Sequence, residues 1–228
     1  MSRIDDLIVK YCPDGVVCKR LGAVVDILDN ERKPVSKDKR QSGDYPYYGA
    51  NGIQDWVNEY LFDGTFLLVG EDGSVINKDK SPVLNWATGK IWVNNHAHIL
   101  KELDESVLLR YIYYALSNTD VSDIVRGTPP KLNQQNLKNI LIPVPPLPVQ
   151  QEIVRILDSF SELEKELETR EKQYEYYRNQ LLSFGEGGDH ACDVKWMKLG
   201  GVYRSNVEFA LLRHNYLKKG CFLFIRIV

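Results

Sequence analysis

The chain has 228 residues, of which 43% are hydrophobic and 26% charged, and its formal net charge at pH 7 is −2. These values are typical of a globular protein with one sizeable core. The near-neutral charge excludes a basic field over the whole surface, so a nucleic-acid site would have to be a local patch.

The cysteines and the apolar segments indicate the compartment. Cys12, Cys18, Cys192 and Cys221 form no Cys-x-x-Cys pair, and no signal peptide is recognised at the N-terminus. The longest apolar run, at 221–228, is too short to span a bilayer. We therefore predict a cytoplasmic protein that is not embedded in a membrane.

The first 149 residues predict a globular domain of helices and strands. A short helix is expected within residues 1–11, and residues 16–17 and 21–28 are predicted to be extended. Between Trp56 and Leu100, short β-rich runs (66–69, 74–76, 83–86, 91–93 and 97–100) are separated by glycine and asparagine, which indicates a mostly antiparallel sheet with hairpins. A helix is expected from Asp104 to Asn118. The predicted fold class is α+β.

A basic loop precedes an aromatic segment. The loop spans residues 32–40 and contains the densest cluster of cations in the chain, Arg32, Lys33, Lys37, Lys39 and Arg40. Such a run is often only a solvated loop. Its position just before the aromatic, glycine-rich segment 43–53 favours a binding surface.

A long helix dominates the second part of the chain. Residues 150–184 contain no glycine or proline, but prolines precede them and glycines follow. The positions expected at a heptad seam recur at intervals of three and four: Ile153, Ile156, Phe160, Leu163, Leu167, Arg170, Tyr174, Tyr177 and Leu181. This pattern predicts a coiled-coil helix roughly 50 Å long. A helix packed on its own domain is the alternative.

Motifs for catalysis or metal binding are weak. Pro13-Asp14 with Glu31-Arg32-Lys33 has the letters of a nuclease site, but Glu31 is predicted in a polar turn rather than on a strand. Thr128-Pro129-Pro130-Lys131 lacks the acceptor and the stacking aromatic of an amino-methyltransferase motif. His96 and His98 lack a third ligand at a recognisable spacing. We predict no catalytic residues, no metal site and no cofactor.

The combination of motifs resembles the specificity (S) subunit of type I restriction–modification enzymes. The residues that carry the resemblance are Cys12–Gly15 with Leu21-Gly22, Tyr45–Gly52, Gly127–Asn133, and the segment from Ile142 through Gln150-Gln151-Glu152 into the long helix. The resemblance implies target-recognition domains that each read half of a split DNA site, separated by long helices packed antiparallel.

It also implies a non-catalytic subunit. The methyltransferase and restriction subunits would be its partners, and S-adenosylmethionine, Mg²⁺ and ATP would belong to them. Residues 1–149 would be the recognition domain and 150–184 the spacer helix.

Residues 185–228 resemble the start of a second, truncated repeat. The segment 195–202 matches residues 17–24 at a leucine, a glycine and a valine. A subunit with one recognition domain and one helix leaves the seam without an intramolecular partner. We therefore expect a homodimer that pairs its helices antiparallel and reads a palindromic bipartite site.

The sequence suggests specific DNA contacts. For double-stranded DNA we predict phosphate contacts from the basic loop together with Arg126 and Lys131, and positions closer to the bases for Tyr47, Tyr48 and Asn51. Core packing is the alternative for the tyrosines. A coiled-coil adaptor that binds only protein is the alternative function.

Overall fold

The computed structural model describes residues 2–182. The predicted second repeat from residue 185 lies outside the described residues. The chain divides into two units, Met1–Phe160 and Ser161–Val228, and the second is described as far as Leu182.

A six-stranded sheet forms the centre of the first unit. Its strands are β2 (Val25–Ile27), β3 (Ser42–Gly49), β4 (Gly52–Val57), β5 (Phe62–Gly70), β6 (Leu84–Val93) and β7 (Ala97–Glu102). They lie in the order β2-β7-β5-β6-β3-β4. Every neighbouring pair is antiparallel except β3 and β6. The prediction of a mostly antiparallel sheet is confirmed.

A second, two-stranded sheet and three short helices complete this unit. Strand β1 (Cys18–Arg20) pairs antiparallel with β8 (Leu141–Pro143). The helices are α1 (Arg3–Tyr11), α2 (Leu109–Ser117) and α3 (Gln134–Asn139). Helix α1 begins with a capping box in which Ser2 and Asp5 each bond to the other's backbone N–H, as a helix N-terminus requires.

Three sequence predictions for this region were wrong. Residues 21–23 of the segment predicted to be extended form a 3₁₀ helix, and the strand there is limited to Val25–Ile27. Residues 74–76 form no strand, because Ile76 makes only an isolated bridge to Pro82. Helix α2 begins at Leu109 rather than at Asp104. The Asp104 carboxylate accepts from the Ser106 N–H at 2.7 Å and so closes a turn, whereas the Glu102 carboxylate accepts from the Leu109 N–H at 2.9 Å at the helix start.

Both faces of the sheet are covered, which explains the nearly continuous apolar run in β5. Leu67 and Val69 belong to a core cluster with side chains of α2, α3 and β8. Phe66 and Leu68 alternate with them and belong to a second cluster with Ile91 of β6 and other strand residues. A strand buried on both sides has to be apolar at successive positions.

The predicted long helix is present as α4 (Leu147–Leu182, 36 residues). It begins three residues earlier than predicted, and its predicted last two residues lie outside the described range. The fully buried Gln150 side chain accepts from the Leu108 N–H at 3.0 Å and donates to the carbonyls of Ser106 and Pro145. These bonds tie the start of the helix, which belongs to the first unit, to the segment before α2 and to the proline segment that precedes α4.

The seam of α4 changes character along its length. Ile153 is partly buried against the core, and Ile156 is partly buried. From Phe160 onward the apolar seam side chains are exposed by more than half: Phe160, Leu163, Leu167, Tyr174, Tyr177 and Leu181. No helix within residues 2–182 combines the length and the apolar character needed to cross a membrane.

Candidate nucleic-acid interface

The basic loop is fixed to the sheet by its backbone. Tyr47 is 1% exposed, and its hydroxyl accepts from the Val35 N–H at 3.1 Å and donates to the Val35 carbonyl at 3.3 Å. The Trp92 indole N–H donates to the Lys33 carbonyl at 2.7 Å. The Arg40 Nε–H also donates to the Val35 carbonyl, at 3.0 Å. Side chains of β3 and β6 therefore attach the loop backbone to the sheet.

Three lysines of the basic loop point into solvent. Lys33, Lys37 and Lys39 are exposed, and a short 3₁₀ turn carries the last two. Within residues 2–182 none of the three forms an ion pair, in contrast to the arginines of the same loop. A loop attached to the sheet, with unpaired ammonium groups, is suited to binding phosphate because little conformational entropy is lost on binding.

Arg40 is partly buried and engaged. Its guanidinium lies 4.1 Å from the Tyr47 ring centroid and 3.2 Å from an oxygen of Asp55. The Asp55 carboxylate accepts from the Trp56 N–H, and this bond, followed by the hydrogen bond from Arg40, lowers the pKa of Asp55. The contacts join the loop to β4, and phosphate contact by Arg40 stays a prediction.

Arg32 lies in a buried ionic network. Its guanidinium is 2.6 Å from Glu71 and 3.6 Å from Asp29, and it donates to the Ala97 carbonyl at 2.8 Å. Lys131 lies 3.0 Å from the other Glu71 oxygen, with half of its side chain exposed. The sequence analysis predicted that both cations contact DNA phosphates. The structure gives them a shared acidic partner, and their contact with DNA stays a prediction.

His98 occupies the centre of this network and is fully buried. Its Nδ1 is 2.6 Å from Asp29, and its Nε2 is 2.8 Å from the Leu132 carbonyl. The Asp29 carboxylate also accepts from the Gln134 amide at 2.8 Å and from the Ile99 N–H at 3.2 Å. The ring thus joins the Asp29 carboxylate to the backbone at Leu132 through both of its nitrogens.

Burial and the neighbouring side chains shift the pKa values of the acids in this network in opposite directions. Burial acts to raise the pKa of Asp29, but the hydrogen bond and charge of His98, the Gln134 amide and the Arg32 charge outweigh it and lower the pKa. Burial likewise opposes ionisation of Glu71, and Arg32 and Lys131 outweigh it, so that its pKa is also lowered. Both acids are ionised at neutral pH.

Asp29, Glu71 and His98 bring three ligand-type atoms within 4.8 Å of one another. Each atom already has a partner, because the carboxylates bond to cations and amides and the second ring nitrogen of His98 bonds to a carbonyl. The arrangement is suited to holding elements together rather than to coordinating a metal.

The network fixes the segment 126–133. The Leu132 N–H donates to the Glu71 carbonyl at 2.8 Å, and the Gly73 N–H donates to the Pro130 carbonyl at 3.0 Å. Gly127 has φ +95°, a conformation that favours glycine. Arg126 is exposed, although its guanidinium donates to the carbonyls of Ser122 and Val125. This fixed loop presents Arg126 at the surface.

The β3–β4 hairpin carries the three residues that were predicted to lie close to the bases, and it buries two of them. Tyr47 and Tyr48 are buried, which is the alternative that the sequence left open, and burial raises the pKa of Tyr48. Asn51 is exposed at the turn, where Gly52 has φ +101°. Of these three residues, only Asn51 is accessible to a ligand in this structure.

A patch of aromatic and basic side chains was not predicted. The Lys90 ammonium lies 4.7 Å from the Tyr60 ring centroid and 6.0 Å from that of Tyr45, and the two rings pack edge to face. Trp56 on β4 is half exposed. The pairing of these side chains depends on strands that meet in the folded sheet, so the sequence carried no local signal for the patch.

Structural comparison defines the class of this fold. A crystal structure of a type I restriction–modification S subunit from M. genitalium matches with a TM-score of 0.57 at 18% identity, covering 72% of this chain and 45% of that one. A structure described as the basis of complex assembly and conformational transition of the type I system matches with a TM-score of 0.58 at 20% identity, covering 78% and 48%. The α+β domain with a long helix is thus the fold of S subunits.

Sequence comparison defines the family. The model for the type I restriction modification DNA specificity domain matches residues 13–174, and the chain belongs to this family. A putative type I restriction enzyme specificity subunit of Haemophilus influenzae, S.HindORF215P, is 44% identical over 181 residues, covering 74% of this chain and 46% of the relative. The EcoR124I/EcoR124II specificity subunit of Escherichia coli is 36% identical over 162 residues, covering 60% and 39%. The chain therefore spans less than half the length of these relatives.

Proposed function

We propose that this chain is a DNA-recognition subunit of a type I restriction–modification complex and directs methyltransferase and restriction subunits to a bipartite site. The observation that carries the proposal is the basic loop, with three unpaired, exposed lysines, on a domain of the DNA-specificity family. The lysines would contact phosphates, and Asn51 lies exposed at a turn, where its amide is free to pair with a base edge.

The chemistry would belong to the partner subunits. Within residues 2–182 the one group of His, Cys, Asp and Glu side chains that could hold a metal, Asp29, Glu71 and His98, is occupied by structural contacts. The subunit would need no cofactor of its own. A DNA-reading role places it with the chromosome in the bacterial cytoplasm.

Homodimerisation would supply the second recognition domain. The exposed stripe of α4 from Phe160 to Leu181 is apolar and narrow, as a two-helix seam requires. Two copies related by a two-fold axis would provide two recognition domains, and their symmetry would impose a palindromic bipartite site.

The charges of α4 favour antiparallel pairing. Residues 162–168 hold four glutamates and Lys165, a net charge of −3, whereas residues 170–178 hold three cations (Arg170, Lys172 and Arg178) and two glutamates (Glu171 and Glu175), a net charge of +1. Parallel helices would align the acidic segment with itself. Antiparallel helices place the acidic segment of each copy near the basic segment of the other, which relieves the repulsion.

The decisive experiment is methylome sequencing of cells that express this chain together with a type I methyltransferase subunit from the same genome. We expect adenine methylation at a palindromic bipartite motif that disappears when the chain is omitted. Methylation that does not depend on the chain, or a motif without two-fold symmetry, would overturn the proposal. The protein-only adaptor is disfavoured because the family match includes the globular domain and not only the helix.

A further inference from the structure

Only part of the α4 heptad seam is exposed in the single chain. Ile153 packs against the core of its own domain and Ile156 is partly buried, whereas Phe160 is 59% and Leu181 65% exposed. The stripe available to a second molecule therefore begins near Phe160, which shifts its centre toward the C-terminal half of the helix.

Antiparallel pairing allows only a few registers along this stripe. Each residue at the first seam position of a heptad faces a residue at the second seam position of the partner, so allowed registers differ by one heptad. Leu167 serves as the marker of the register. A shift of one heptad before these registers would pair Leu167 with the partner's partly buried Ile156, and a shift of one heptad beyond them would leave only the four seam positions from Arg170 to Leu181 in contact within the described residues. Three registers remain, in which Leu167 faces the partner's Leu163, the partner's Arg170 or the partner's Tyr177, and we call these the first, second and third registers.

Charges beside the seam distinguish the three registers. Glu164 flanks the seam, and it approaches the partner's Glu164 in the first register, the partner's Glu171 in the second and the partner's Arg178 in the third. Only the third register gives attraction, and the two-fold axis repeats the pair. One like-charged contact, between the two copies of Glu171, remains there. The other registers bring together only like charges at these positions.

Burial selects the same register independently. The first register requires Ile153 and Ile156 to face the partner's tyrosines, and the second requires Ile156 to face the partner's Leu181. Both isoleucines are already partly covered by their own chain. In the third register Leu163 faces the partner's Leu181, so the described contacts use only exposed seam positions.

The third register also gives the seam arginine a partner. Arg170 faces the partner's Tyr174 there, and a guanidinium over a tyrosine ring is a favourable contact. In the single chain Arg170 makes only exposed contacts of 3.4 Å to Glu166 and Gln173 of its own helix.

We propose that α4 pairs antiparallel with a second copy in the register that places Leu167 opposite the partner's Tyr177 and Glu164 beside the partner's Arg178. This assignment rests on the proposed homodimer. It fixes where the two-fold axis crosses the helix, close to Glu171 and Lys172, and hence which parts of the two copies face each other.

Disulfide trapping distinguishes the registers. The full-length chain, with its four native cysteines changed to serine, would carry either Glu171→Cys or Glu164→Cys. These positions are one heptad apart and equally exposed. In the third register Glu171 lies opposite its own copy, so the Glu171→Cys variant alone should form a covalent dimer on mild oxidation.

Each other result has a defined meaning. A covalent dimer of the Glu164→Cys variant alone indicates the first register, and a mixed dimer formed only when the two variants are combined indicates the second. Either result overturns the assignment, as does a dimer in sedimentation that no variant traps. A monomer in sedimentation instead overturns the homodimer on which the assignment rests.

A charge exchange provides a second measurement. Glu164→Arg and Arg178→Glu should each weaken the dimer about tenfold, because each creates two repulsive contacts. The double variant should restore the original affinity. Failure of the double variant to recover, while sedimentation still shows the parent to be a dimer, contradicts the register.

Discussion

His98 Nδ1 lies 2.6 Å from a carboxylate oxygen of Asp29, and both side chains are buried beneath the basic loop and the segment 126–133. His96, two residues earlier on the chain, lies 2.5 Å from Asp72 but is exposed. The two pairs have the same chemistry and differ in burial, so they form a matched test of what the network contributes.

Removing the buried partner should destabilise the domain. We expect His98→Ala to lower the free energy of unfolding by about 3 kcal/mol, because the Asp29 charge is then left buried without its partner. His96→Ala should change it by less than about 1 kcal/mol, because that pair is screened by water. Urea denaturation of both variants measures the difference, and equal effects would show that burial of the pair is not what matters.

Acid should weaken the fold through the same network. Since the folded-state pKa values of Asp29 and Glu71 are lowered, the unfolded chain binds their protons first as the pH falls. Their contribution is fully present above the unfolded-state values of about 4 and is lost as the pH falls through the lower folded-state values. Urea denaturation from pH 7 to pH 3 should show this loss, and Asp29→Asn should flatten it.

The exposed lysines should account for part of the salt dependence of DNA binding. For the complex with methyltransferase, we expect changing Lys33, Lys37 and Lys39 together to alanine to reduce the slope of log K against log salt by about 0.9 for each phosphate that a lysine no longer neutralises. Three exposed lysines elsewhere in the fold, Lys19, Lys78 and Lys101, provide the matched control. A slope that both triple variants change equally would remove the basic loop from the interface.

Tyr47 should act on DNA binding through the conformation of the loop. Tyr47→Phe removes both hydrogen bonds to Val35 and keeps the ring under Arg40. We expect a loss of stability of about 1 kcal/mol and weaker DNA binding with an unchanged salt slope. A changed slope would instead assign the tyrosine hydroxyl to the DNA contact itself. Titration at several salt concentrations separates the two.

The apolar seam should control self-association. Leu167→Glu puts charges into the proposed seam, and we expect the dimer to dissociate at micromolar concentration. Thr169→Glu places the same side chain on the outward side of the helix and should leave the dimer intact. Analytical ultracentrifugation measures both. The seam assignment fails should the two variants behave alike.

The sequence by itself determined the elements whose signals are local. The heptad spacing and the flanking prolines predicted α4 to within three residues of its start, because a long helix without glycine or proline is specified by its own pattern. Apolar runs between glycine and asparagine located β5, β6 and β7, although β6 was predicted as two separate runs, and they did not locate β3 or β4. The motifs distributed from Cys12 to the long helix were together sufficient to indicate the family.

Only the tertiary structure decided which side chains are free. Arg32, Lys33 and Arg40 lie in one basic run, yet Arg32 and Arg40 are held by acids 39 and 15 residues away, whereas Lys33 has no such acid among the described residues. The same holds for Tyr47, whose burial depends on the pairing of β3 with two other strands. The ion pairing and burial of a side chain depend on groups that are distant in the chain. The local sequence does not show which of these groups will pack against it.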